Sequence, residues 1–321
     1  MCSAVAVRGR DDRESALRHT DTVSLICHGD SVKTTMALFE VTAVTGLVVV
    51  VGTVATALLC VGPRQLSRAV TDLDGRLREV APYLGAALAL LALKQITQGY
   101  RLRFSRALDW NITDELYALE GGFVATLQDL TPEATLEFFT VSYMAGFAFL
   151  LAAAPVTYFL SEGRSQRYLK ELLVAYMLNY AIGTVCYTLF ISYGPRNYLE
   201  SVSGLMYQVY PQTQDLTAAV ASNTNVFPSL HTSLSVAVLA VAWRSRRAHP
   251  RWTPVAAFVA SAVVYSTMYL GIHWLVDVVV GVALGVGSVW AAVRIVDRAE
   301  PPTTAVYGDD REDTAPQAGD D

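Results

Sequence analysis

Seven runs of apolar residues, free or nearly free of charge, dominate this chain at roughly 36–61, 80–98, 137–160, 170–192, 229–243, 252–271 and 274–296. A bilayer core takes about 20 predominantly apolar residues per helix. The pattern therefore predicts an all-α, polytopic membrane helical bundle of about seven transmembrane helices. Composition agrees: charged residues are only 17% of the chain and mean hydropathy is +0.35, against about 25% charge in soluble domains. Soluble enzymes, nucleic-acid binders and disulfide scaffolds are excluded. The sixth and seventh runs are joined by almost nothing, so Gly271 to Trp274 must form a tight turn at one membrane face.

The net charge of −5 is not spread along the chain. Asp309, Asp310, Glu312, Asp313, Asp320 and Asp321 stand against Arg311 alone and account for the whole imbalance. Residues 299–321 are thus expected to be an acidic, disordered tail, and residues 36–298 the membrane-embedded domain. Residues 1–35 carry Arg8, Arg10, Arg13, Arg18 and Lys33 without the apolar core of a signal peptide. They are expected to be a disordered arm or to precede a true start at Met36. Cys2, Cys27, Cys60 and Cys186 match no metal-site spacing, and no disulfide framework follows.

Orientation follows from the basic residues, which accumulate on the cytoplasmic side of membrane proteins. Arg64, Arg68, Arg76, Arg78, Arg164, Arg167, Lys170, Arg244, Arg246, Arg247, Arg251, Arg294 and Arg298 lie in one set of connections; Arg101, Arg103, Arg106 and Arg196 lie in the other. This places loops 99–136 and 193–228 outside and the tail in the cytoplasm. Within the first of these loops, Thr113-Asp114-Glu115 is expected to cap a short helix lying along the membrane surface.

Ionisable groups at membrane depth are costly and functional by default. Of five histidines, His19 and His28 fall in the N-terminal arm and His249 in a basic loop, whereas His231 and His273 sit at span ends. Pro228 is expected in the first turn of a helix, with Ser229 and the next amides free to bind an anion and His231 beside them. His273 and Asp277 are four apart, which on a helix is one face, so the carboxylate can fix the imidazole tautomer. Arg196 begins the loop at the same outer face. Two imidazoles, a carboxylate, a guanidinium and a helix start suit phosphoryl transfer. Each alone also has a bland reading: a hydrogen-bonded structural His, a chance HxxxD spacing, a solvated Arg.

At these residues the chain resembles the type-2 phosphatidic acid phosphatase superfamily. Pro228-Ser229-Leu230-His231 matches its Pro-Ser-Gly-His element, with Leu230 for Gly. Ser266-Thr267 through His273 and Asp277 matches its Ser-Arg…His…Asp element, with Thr267 for Arg. Of the first element only Gly194-Pro195-Arg196 remains, and Leu189 stands where the family has Lys. Phe227–His231 and Ser266–Leu270, followed by His273 and Asp277, look like the inositol phosphorylceramide synthase catalytic-subunit branch, which moves a phosphorylated head group between lipids.

The resemblance implies a six-helix phosphatase-type core and a metal-independent enzyme without cofactor. His273 would be the nucleophile, Asp277 its orienting carboxylate and His231 the acid for the leaving group, with Arg196, Ser229 and Tyr269 binding substrate. The missing Lys and Arg point to a phosphodiester, which carries less charge than a monoester. Expected partners are membrane lipids, as phospholipid donor and lipid-alcohol acceptor or water, with no nucleic acid and no obligate protein partner. The alternatives are a simple lipid-phosphate phosphatase acting on phosphatidate or polyprenyl phosphate, and a non-catalytic seven-span lipid-binding protein. A retinal protein would need a lysine in the last span, which 274–296 lacks, and a transporter would show internal repeats or several broken helices.

Overall fold

A computed structural model describes residues 42–162, 165–211 and 224–299. The N-terminal arm, most of the acidic tail, His19, His28, Cys2 and Cys27 lie outside the described residues. The described chain is helical, with only two isolated β-bridges, Asn111 with Ile191 and Ser192 with Asn225. Its helices are α1 (Thr42–Cys60), α2 (Pro63–Thr71), α3 (Leu73–Leu108), α4 (Thr113–Glu120) and α5 (Phe123–Leu130). There follow α6 (Glu133–Leu160), α7 (Ser165–Leu189), α8 (Pro195–Tyr198), α9 (Leu205–Val209), α10 (Leu230–Arg244), α11 (Trp252–Tyr269) and α12 (Leu275–Ala299).

Every apolar run has a helix over most of its length, and α1, α3, α6, α7 and α12 are long and apolar enough to cross a membrane. The described residues form an all-α integral membrane protein with five such candidate spans among them. The fifth and sixth runs fall short by length and composition: α10 has 15 residues, and the 18 of α11 include Thr253, Pro254, Ser261, Ser266 and Thr267. In the other direction, α3 reaches 36 residues and takes the first ten positions of the expected loop 99–136. It ends where Asp109 adopts a left-handed backbone (φ 48°) and its N–H bonds to Ser105 O.

The core is the interlock of α7, α10, α11 and α12 with α6. Leu150, Ala153, Tyr158, Leu172, Ala175, Ala237, Val241, Trp252, Ala256, Val289 and Ala292 are all buried there. With lipid outside as apolar as leucine, such helices associate through close packing of small residues. Gly281 and Gly285 of α12 provide it. A Cβ on Gly281 would lie 2.7 Å from the Ser229 carbonyl oxygen, and one on Gly285 would overlap the Ser233 carbonyl oxygen.

Charge is gathered at the end of the bundle remote from His231. Lys170 Nζ meets Glu79 Oε1 at 2.7 Å, joining α7 to α3. Glu171, with no exposed surface, lies between Arg167 (3.2 Å) and Arg244 (3.3 Å), and Arg167 also pairs with Asp297. Arg76 Nη1 donates to the Phe159 and Ser161 carbonyls at 2.8 and 2.7 Å. His249 lies in the expected basic loop, where it is buried and shares a 3.0 Å hydrogen bond with Ser165 Oγ. Removing one partner from so enclosed a group strands the other without water.

The α10–α12 approach gives a direct stability test. Gly285→Val should cost about 1–3 kcal/mol through overpacking, whereas Gly287→Val, whose Cβ meets nothing within 4 Å, should stay within about 0.5 kcal/mol. Unfolding of both variants in detergent micelles checks this, and equal stability for the two would contradict the close contact.

Candidate active site

The site assembles where the starts of α10 and α12 meet the α11–α12 turn. Gly271 supplies the turn with a left-handed backbone (φ 69°), a conformation L side chains avoid. The Thr267 carbonyl then accepts both the Ile272 and His273 amides, at 3.1 and 3.0 Å. His273 consequently sits in the turn rather than on a helix, and α12 begins two residues later. Asp277 lies in the first turn of α12, and its Oδ2 accepts the Trp274 N–H at 2.8 Å. The same oxygen is 3.5 Å from His273 Nδ1, a polar contact longer than a formed hydrogen bond. The spacing thus brings His and Asp together, but through a turn and the bond from the Trp274 amide back to the Asp277 carboxylate.

His231 is the second residue of α10. Pro228 precedes the helix instead of entering its first turn, and Ser229 is the N-cap, its Oγ accepting the Thr232 N–H at 3.3 Å. Ser229 is fully buried. The two imidazoles face one another with ring centroids 6.3 Å apart and planes at 55°.

Arg196 is brought alongside by backbone contacts. Its N–H donates to the Gly271 carbonyl at 3.0 Å. A Cβ on the nearby Gly194 would overlap the Ile272 carbonyl oxygen, so only glycine lets this segment lie on the turn. The guanidinium sits 4.5 Å over the Tyr207 ring, and Nη2 donates to the Tyr207 hydroxyl at 2.7 Å. Its other terminal nitrogen, Nη1, is buried with no hydrogen-bond partner among the described residues. Tyr269 is placed differently from expectation: its ring packs on Phe139 and Tyr265 (centroids 5.4 and 6.3 Å), and its carbonyl accepts from Gln128 Nε2. Its ring contacts neither imidazole.

Several site residues carry no sequence signal. Tyr143 stacks on His231 at 4.5 Å and 25°, and Phe147 covers the same ring at 4.2 Å. Tyr143 belongs to a π-helical segment, Ser142–Gly146, inside α6, and such bulges often mark functional positions. Sequence periodicity cannot announce a π-turn. Leu189 and Thr267 replace the two basic residues of the motif; Thr267 is buried, with Oγ1 donating to Val264 O at 2.7 Å.

Helix α4 closes the site from its flank. Its N-cap is Ile112, and Asn111 just before it has Oδ1 accepting both the Thr113 N–H (3.1 Å) and its hydroxyl (2.6 Å), so Thr113 is the first helical residue rather than the cap. Leu116 packs with Trp274, and Glu120 Oε2 accepts the Val276 N–H at 3.2 Å. Burial pushes the Glu120 carboxyl up to about 7; the Asp277 charge adds to this, and the Val276 and Leu275 amides oppose it. Among the described residues no group of three or more His, Cys, Asp or Glu could hold a metal ion. Cys60 and Cys186 are free thiols.

The family model described as the PAP2 superfamily matches residues 118–291. That is more than half of the chain and includes Tyr143, Arg196, Ser229, His231, His273 and Asp277. The protein belongs to the PAP2 superfamily and is a membrane phosphatase-type enzyme of that group. No curated protein matches it. A solved structure described as the crystal structure of Aquifex aeolicus LpxE is similar to it at 20% identity and a TM-score of 0.44, covering 55% of this chain and 95% of its own.

Glu120 makes the fold pH-sensitive with a defined sign. A carboxyl raised from 4.5 to about 7 contributes its full stability below 4.5 and loses it as pH rises towards 7. The wild-type unfolding midpoint should therefore fall across that window, while Glu120→Gln, which keeps an acceptor for Val276 without titrating, should show a flatter profile. Parallel profiles for the two proteins would contradict the assignment.

Proposed function

We propose that this member of the PAP2 superfamily transfers a phosphorylated head group from one membrane lipid to the hydroxyl of another through a phosphohistidine on His273. The observation that carries the proposal is the facing of His231 and His273 at 6.3 Å with Asp277 behind one of them. In the first half-reaction, His273 Nε2 attacks phosphorus while the bond from phosphorus to the donor's leaving oxygen breaks. His231, entering protonated, gives its proton to that oxygen. In the second half, the acceptor hydroxyl loses its proton to His231 and attacks phosphorus, and the P–N bond breaks. Asp277 Oδ2 holds Nδ1–H and so leaves Nε2 as the nucleophile; the 3.5 Å separation closes to a hydrogen bond as charge develops on the ring.

Arg196 Nη1 and the amides at the start of α10 bind the non-bridging oxygens. Ser229 supports them as the cap of that helix. A single guanidinium beside the histidines, with leucine and threonine where the family has basic residues, supports a singly charged phosphodiester over a dianionic monoester. The Phe227–His231 and Ser266–Leu270 runs support a head group resembling inositol phosphate. No metal or cofactor is needed for these steps. Seven membrane crossings with the histidines at the outer face, the tail in the cytoplasm and a six-helix catalytic core complete the proposal, supported by the distribution of basic residues.

Pure protein incubated with labelled phosphatidylinositol and a lipid alcohol should yield a new labelled lipid, and an acid-free quench should trap label on His273. Water-soluble phosphate or head-group phosphate as sole product would indicate hydrolysis instead. His273→Ala and His231→Ala should each lower turnover about 10²–10⁴-fold or more while the protein still folds. Retained turnover in either variant would refute the roles assigned.

A further inference from the structure

Helix α3 carries two cations where a lipid-facing helix ordinarily carries none. Lys94 lies inside its apolar run 80–98, and Arg101 follows two turns later on the same face. Arg101 does not extend away from the run. Its Nη2 donates to the Lys94 carbonyl at 2.8 Å and its Nε to Thr97 Oγ1 at 3.2 Å, which folds the guanidinium back along α3 onto the Lys94 backbone. Lys94 Nζ sits over the Tyr180 ring of α7 at 5.0 Å. Both side chains are half-buried, and Leu91, Leu93, Ile96 and Tyr100 around them are exposed, so this flank faces lipid.

No carboxylate pairs with Lys94 or Arg101 among the described residues, in contrast to Glu79 opposite Lys170 and Glu171 opposite Arg167 and Arg244. Two positive charges on one helix face in an apolar setting repel one another, and each bears a desolvation cost. A long side chain free to do so would reach for the aqueous interface. The inward fold of Arg101 is favourable when an anion stands between the two groups, and an anion available at that depth is a lipid phosphate.

We infer that Lys94 and Arg101 form a binding site for the phosphate of an anionic phospholipid on the α3–α7 flank, with Tyr180 flooring it. The site is separate from the histidine pair and does not depend on its chemistry. It is close by, however: Tyr180 and Tyr187 share one face of α7 about 10 Å apart, and the Tyr187 hydroxyl donates to the Pro228 carbonyl at 2.8 Å, beside the Ser229 cap. A lipid held there would pack its chains along the helices that carry the catalytic turn.

The test uses the full chain, delipidated in neutral detergent, with native mass spectrometry and thermal unfolding after addition of phosphatidylglycerol, phosphatidylcholine or inorganic phosphate. Phosphatidylglycerol should be retained and raise the unfolding midpoint, and the other two should not. Lys94→Gln and Arg101→Gln should each weaken its retention about tenfold, while Lys94→Arg retains it. Arg103→Gln, which removes a cation stacked outward on Tyr100, and His273→Ala should leave it unchanged. Equal retention of phosphatidylcholine, or equal stabilisation by inorganic phosphate, would overturn the lipid assignment. So would loss of the lipid in His273→Ala, or a change of oligomeric mass in Lys94→Gln with lipid retention intact.

Discussion

One backbone hydrogen bond holds the two halves of the site together: the Ser229 N–H at the start of α10 donates to the Asp277 carbonyl at the start of α12, at 3.2 Å. The helix starts can come this close because Gly281 and Gly285 leave their backbones bare against Ser229 and Ser233. From that contact the rest follows. Asp277 reaches back to the turn that carries His273, Ser229 caps the turn that carries His231, and the two rings face across a fixed gap. A wider helix pair would have the same residues and no common target for them.

The bundle separates its polar work between its two ends. At one end charges are satisfied internally, with Glu171 enclosed by two arginines and Lys170 paired with Glu79. At the other end several polar atoms remain unpaired: His273 Nδ1, Asp277 Oδ1 and Arg196 Nη1 are buried without a hydrogen-bond partner among the described residues. Buried polar groups are normally satisfied; Arg76 Nε and Gln166 Oε1 at the first end likewise lack a hydrogen-bond partner, and of the three atoms at the second end Arg196 Nη1 is the cationic donor able to meet an anion. Tyr143 and Phe147 hold the His231 ring by stacking, which orients it without adding charge.

Much of this was legible in the chain because a bilayer simplifies the code: an apolar run of about twenty residues has few alternatives to a helix. His231, His273, Asp277 and Arg196 stood out as polar groups at span ends, and the structure brings all four into one neighbourhood. The local geometry was less legible. His273 lies in a turn, Pro228 before the helix and Thr113 inside its helix with Asn111 bonded to it, because turn and cap geometry depends on hydrogen bonds that spacing alone does not reveal. Gly281 and Gly285 form a small-residue pair four apart that a search for close helix packing could have found. Tyr143 and Glu120 could not have been found this way, since one rests on a π-turn and the other on the docking of α4 against α12.

The most direct test of the paired histidines is a structure of the full chain with vanadate, a mimic of phosphorus in transfer. Vanadium should sit between the two imidazoles, bonded to His273 Nε2, with an axial oxygen within hydrogen-bond reach of His231 and an equatorial oxygen on Arg196 Nη1. Vanadate bound away from that gap, or touching one histidine with the other turned aside, would contradict a shared phosphorus.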